Sequence, residues 1–181
     1  MAFIQPAPSK AVLSALRDAN SGFPGRVKAS DGTSGDAAHV ARAEALIAKG
    51  GTPEGHVMGD AFDITHDPSH GVVGRAIGEL ALTDPRTAYV ISDGEIASNT
   101  GAFAKQGWRP YNGANPHRHH VHVSVQPTKR NDDSLWPWAH GMPPDFVKAD
   151  SAGIPKSVKT VALVSSVATA AYFIGKALFK W

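Results

Sequence analysis

Cysteine is missing from the chain altogether. That excludes disulfides and thiolate metal sites, so a metal centre here has to be built from imidazoles and carboxylates. An excess of charge is also missing: 18 Lys and Arg stand against 16 Asp and Glu. A net charge of +2 is too small to serve as a nucleic-acid footprint, and no nucleic-acid partner is expected. The opening residues, MAFIQPAPSKAVLSAL, have neither a basic start nor a long apolar run, so no secretory signal is expected there. There is no internal repeat. Hydrophobic residues make up 42% and charged residues 19%, which is enough for one globular domain with an appendage.

Histidine is what the sequence concentrates. Four of the nine histidines, His117, His119, His120 and His122, fall in the segment NPHRHHVHVSV from Asn115 to Val125. From His120 the residues alternate polar and apolar, the pattern of a half-buried strand. Val121, Val123 and Val125 then face the core, while His120, His122 and Ser124 share the opposite face. Taken alone, this stretch is also compatible with a surface His cluster without a role. A second stretch, GHVMGDAFD from Gly55 to Asp63, adds His56 and Asp63. Its continuation to Thr65 alternates too, with Ala61, Asp63 and Thr65 on one face and Phe62 and Ile64 on the other. Imidazole and carboxylate are both zinc ligands, and a catalytic zinc (Zn2+) uses three of them and leaves one position for water. His56, Asp63 and a histidine of the later strand supply three.

The string H-x-x-G-x-A-x-D at His56 to Asp63, followed by H-x-H at His120 to His122, resembles the hedgehog-like zinc peptidases. These are the D-Ala-D-Ala carboxypeptidases and L-alanoyl-D-glutamate endopeptidases that cut peptidoglycan stem peptides. The similarity is greater to phage-borne members, through DGTSGDAAH at Asp31 to His39, AFDITHDP at Ala61 to Pro68 and NPHRHHVHVS at Asn115 to Ser124. It spans roughly residues 25 to 126.

The resemblance implies an α+β fold, a small antiparallel sheet with helices on one side and zinc on the open face. It implies zinc ligands His56, Asp63 and His122, with His120 acting on the water or the tetrahedral intermediate. Many members carry Glu three residues before the last ligand. His119 stands there, so the general base is left between His120, the first choice, and His119. His117, Arg42 and Arg109 are candidates for substrate contact, the arginines because a guanidinium suits a stem-peptide carboxylate. His66 is expected to support the site or the fold, and His39 to be structural. The implied partner is the peptidoglycan stem peptide, and the implied location a phage virion or the host cell envelope.

The remaining elements follow from periodicity. Helices are expected over Lys10–Asp18, with Val12, Leu13 and Leu16 on one stripe, over Ala37–Lys49, and over Gly71–Leu82. A buried strand is expected at Thr87–Ser92, with Gly94–Ser98 continuing the sheet after a turn. The peptidase domain is expected over residues 1–135 and a Pro-rich linker over 136–155. Residues 156–181 are expected to form a hydrophobic helix. There TVALVSSVATAAYFIG runs uncharged between Lys159 and Lys176, and a lipid membrane is the expected partner. Two other functions compete with a peptidase. One is a non-catalytic zinc-containing virion or wall-binding protein. The other is a His-dependent nuclease or phosphoesterase, for which His66-Asp67 and a single H-x-S are thin support.

Overall fold

The computed structural model describes residues 3–147, and the expected membrane helix over 156–181 lies outside the described residues. Among the described residues no helix is long and apolar enough to cross a membrane. The architecture is α+β. Three helices, α1 (Lys10–Gly22), α2 (Ala37–Ile47) and α3 (Gly74–Thr83), accompany five strands: β1 (Ala61–Thr65), β2 (Thr87–Ser92), β3 (Glu95–Ser98), β4 (Arg109–Pro110) and β5 (His120–Val125). A last helical turn, α4, spans Pro144–Val147.

The strands form one antiparallel sheet in the order β1-β5-β2-β3-β4. The alternation in β5 explains why it sits inside the sheet. Val121, Val123 and Val125 are buried against the core, and the hydrogen-bonding edges are taken by β1 and β2. Phe62 and Ile64 of β1 point to the same core. The β2–β3 hairpin turns through Asp93-Gly94, both with positive φ (46° and 77°), the mirror-image turn that suits a two-residue connection.

Helices α1 and α3 cover the valine side of the sheet. The stripe of α1 keeps Val12 and Leu16, the latter partly buried against the core, and loses Leu13 from the expected set. Ala11, Val12, Ala15 and Ala19 face inward, whereas Leu13 is exposed. Small alanines let the helix axis approach β1 closely, and the larger leucines cannot occupy that line without pushing it away. Helix α3 starts three residues later than its apolar pattern. Val72 exchanges both backbone hydrogen bonds with Asp67 after Gly71 takes a left-handed turn, so the helix can begin only beyond Val73.

The expected linker boundary at residue 136 is corrected. Residues up to Phe146 belong to one compact unit, and Trp136 and Trp138 are among its most buried side chains. Their rings stack on each other with centroids 4.9 Å apart and meet Phe62 edge-on. Trp136 donates its backbone N–H to Asp18 Oδ2 (2.8 Å) and its indole N–H to Ala11 O (3.0 Å), and Trp138 donates to Ala15 O (3.2 Å). Proline density marks an irregular backbone, but two buried indoles with satisfied donors close a core. Residues 148–155 of the expected linker lie outside the described residues.

Candidate metal centre

Strand register brings the centre together. Asp63 stands directly opposite His122 across the β1–β5 ladder, and Thr65 opposite His120. His56 arrives from the turn preceding β1. Gly55 allows its approach: a Cβ there would lie 2.8 Å from Ala61 Cβ and 2.9 Å from Ser124 Oγ, so only glycine lets the loop lie against the two strands. Gln5 Nε2 donates to the His56 carbonyl (3.3 Å) and braces the same loop.

Three donor atoms converge. His122 Nδ1 lies 3.0 Å from Asp63 Oδ1 and 3.0 Å from His56 Nε2, and His56 Nε2 lies 3.2 Å from Asp63 Oδ1. Tetrahedral zinc with bonds of about 2.0–2.1 Å sets its ligand atoms about 3.3 Å apart, close to this triangle. The buried group of His56, Asp63 and His122 can therefore hold a metal ion. Among the described residues no other set of three or more His, Asp or Glu meets that geometry.

The electrostatics suit a cation. Burial pushes the Asp63 carboxyl up, but the hydrogen bonds and charges of His122 and His56 outweigh it and hold the group well below the ordinary carboxylate range. Burial pushes His122 below the usual imidazole value, against the opposing pull of Asp63, so it presents a neutral lone pair. His122 Nε2 is 3.1 Å from Ser124 Oγ, a contact that turns Nδ1 toward the carboxylate. Tyr89 stacks on the same imidazole at 5.6 Å. This Tyr was missed in sequence, where TAYVIS reads only as a buried strand. Its place opposite Ser124 is the register signal that puts it on the histidine face.

The other candidates divide. His120 Nε2 stands 3.7 Å from Asp63 Oδ2, beside the triangle and not in it. His117 is buried with its ring 4.9 Å from that of His120 and 5.4 Å from that of His122. Burial, then His122 and His120, push its pKa down to about 4. Arg42 lines, with His117, His122, Tyr89 and Tyr111, a cleft of about 500 Å³ that opens on the centre.

His119 is exposed and makes no contact with the triangle; its backbone carbonyl pairs with His66 N–H (2.9 Å). Arg109, the other candidate for substrate contact, does not line this cleft. Its guanidinium lies over Phe103 (4.2 Å) and donates to Ile96 O (3.3 Å) at the far edge of the sheet. His66 accepts the Gly74 N–H (3.0 Å) at the start of α3, a structural task. His39, expected to be structural, lines the cleft, with its ring 6.5 Å from that of His56.

The DGTSGD segment serves the centre indirectly. Gly32 pairs with Asp63 through both backbone groups and so extends the sheet past β1. Asp31 accepts from Arg26 Nη1 (2.9 Å) and Nη2 (2.5 Å), Thr65 N (3.0 Å) and Thr65 Oγ1 (2.9 Å), and locks the end of β1. Comparison with protein-family models, with curated proteins and with solved structures returned no match.

Proposed function

We propose that this chain is a zinc metallopeptidase that hydrolyses a peptide bond of the peptidoglycan stem peptide, a phage-type endolysin or virion-associated lysin. The observation that carries the proposal is the His56–Asp63–His122 triangle, with donor atoms 3.0–3.2 Å apart and with His122 lining an open cleft. The motif resemblance supplies zinc as the metal and the stem peptide as the substrate. A zinc ion held by His56, Asp63 and His122 would supply Lewis acidity and lower the pKa of its water to about 7.

The remaining work belongs to the chain's own groups. Asp63 holds its charge between two imidazoles and leaves Oδ2 facing His120. His120 is placed to hydrogen-bond the developing oxyanion or to carry a proton. His117, with its pKa near 4, is neutral at physiological pH, so it does not add a positive charge beside the cation. The cleft, walled by α2 on one side and by Tyr89 and Tyr111 on the other, has the room to admit an extended peptide.

Purified protein should hold about one zinc per chain and release free amino groups from sacculi, and a chelator should stop the release. Asp63→Ala should lose both the metal and the activity. His120→Ala should keep the metal and lose about 10²- to 10⁴-fold in rate. Stoichiometric zinc in Asp63→Ala would break the ligand assignment, and amine release that survives metal removal would break the reaction class.

A further inference from the structure

In the resembled peptidases a glutamate three residues before the last ligand is common, and here that position is His119, exposed and outside the cleft. The cleft nevertheless holds a carboxylate besides the buried Asp63. Glu54, two residues before His56, lines it together with His122. Asp63 is committed to two imidazoles, which leaves Glu54 as the carboxylate that faces the cleft.

Its surroundings are built. Asp36 caps α2 by accepting the His39 N–H (2.9 Å), and the same oxygen takes His39 Nδ1 at 2.7 Å. His39 Nε2 then stands 3.4 Å from Glu54 Oε1. Gly35 brings the start of α2 against the His56 loop: a Cβ there would meet Val57 Cγ1 at 2.6 Å and His39 Cβ at 2.8 Å. None of this serves the core. The side chains of His39 and Glu54 are 32% and 42% exposed, and α2 buries only Ala43. A carboxylate–imidazole–carboxylate chain that contributes little to packing, aimed at one end into the cleft, calls for a chemical explanation.

We propose that Glu54 is the general base of the hydrolysis and that His39, held by Asp36, positions it. This rests on the peptidase reading of the centre. The water oxygen bonds to the scissile carbonyl carbon as its proton passes to Glu54. The C–N bond then breaks and the same proton goes from Glu54 to the leaving amine nitrogen, giving one carboxylic acid and one amine with no further reactant. His120, on the other side of Asp63, is left to stabilise the oxyanion.

The test uses the full chain loaded with zinc and a soluble muropeptide, with kcat, KM and metal content read on each variant. Glu54→Gln should keep about one zinc and the wild-type melting temperature, while kcat falls about 10²- to 10⁴-fold and KM moves little. Glu54→Asp should recover part of the rate. His39→Ala should lose about 10- to 100-fold in kcat with zinc retained, the usual scale for a group that orients another. A Glu54→Gln enzyme with wild-type kcat overturns the assignment, and so does one in which only KM rises. An active wild type with an unaffected Glu54→Gln removes this inference alone, whereas a zinc-loaded wild type that cuts no muropeptide removes the peptidase reading and the inference with it.

Discussion

Helix α1 buries six of its thirteen residues and helix α2 one of its eleven. Both appear in the sequence as short apolar-patterned segments of similar length. The residues that α1 turns inward are mainly small and apolar, and its polar ones are tied to the backbone: Ser14 to Ala11 O, Asp18 to the Trp136 N–H. Helix α2 carries its chemistry on the exposed surface instead, with His39 and Arg42 directed to the cleft. One helix therefore contributes mostly to stability and the other mostly to the site. The difference lies in what each can bury, because α1 faces Phe62 and two tryptophans whereas α2 faces a solvent-filled cleft beside charged groups. Substitutions on the two sides should separate cleanly into losses of fold and losses of function.

The largest effect is expected on the α1 side. A chain ending at Leu135 lacks both indoles and should fail to show a native near-ultraviolet circular dichroism spectrum or cooperative urea unfolding. A chain ending at Val147 should show both. Trp136→Ala in the full chain should cost roughly 3–5 kcal/mol, the scale for removing a buried aromatic from a packed core. If the chain ending at Leu135 unfolds cooperatively at the same urea concentration as the longer one, the core does not depend on these residues, and the contrast between the helices loses its basis.

An intermediate effect is expected in the loop between the helices. The Asp31 carboxylate faces the fully buried guanidinium of Arg26 and the backbone of β1. Burial raises its pKa, but the Arg26 and Thr65 hydrogen bonds together prevail, and the group ends below the ordinary value of 3.8. A depressed folded-state pKa means stability that is present above the unfolded value and lost as pH falls through the folded one. Asp31→Asn should therefore cost roughly 3 kcal/mol at neutral pH, since it leaves a buried charge poorly compensated. The gap to wild type in urea midpoint should narrow as pH drops below 3.8. A gap independent of pH down to acid unfolding would show that the Asp31 charge is not what pins β1.

Much of this was legible in advance because strand alternation is a strict period. Residues 120–125 and 61–65 each announced which side chains share a face, and the pairing of β1 with β5 put Asp63 opposite His122. Strand β2 was legible differently, as a short apolar run of strand length. What periodicity does not carry is pairing between distant segments. The stripe of α1 departs from expectation at Leu13, because leucine outweighs alanine on any hydrophobicity scale while the geometry favours alanine close to β1. Trp136 and Trp138 were assigned to a linker because proline punctuation is local, whereas the burial of the two indoles depends on a helix more than a hundred residues earlier. The place of His39, expected only to be structural, and that of Glu54 in the cleft do not follow from periodicity, because a cap contact and a cleft leave no repeating pattern. Arg109 was singled out by residue type alone, and type alone does not say that Phe103 occupies its guanidinium.

The smallest effect is expected at Arg42. It sits on the exposed side of α2, where substitutions usually change stability by no more than about 0.5 kcal/mol. Arg42→Ala should therefore melt with the wild type. If its guanidinium takes a stem-peptide carboxylate in the cleft, the alanine variant loses a charge-assisted hydrogen bond worth about 1.5–3 kcal/mol, reduced toward the lower value by exposure to water. A rise of about tenfold in KM is the expected reading, because a contact made equally in the ground state and the transition state changes KM and leaves kcat alone. Arg42→Lys keeps the charge but not the planar fork, and should recover only part of the affinity. Capping the substrate carboxylate as an amide should erase the difference between wild type and Arg42→Ala. If KM is the same for both enzymes on the free acid, the exposed side of α2 takes no part in holding the substrate, and its share of the function narrows to His39, which stands 3.4 Å from Glu54 Oε1.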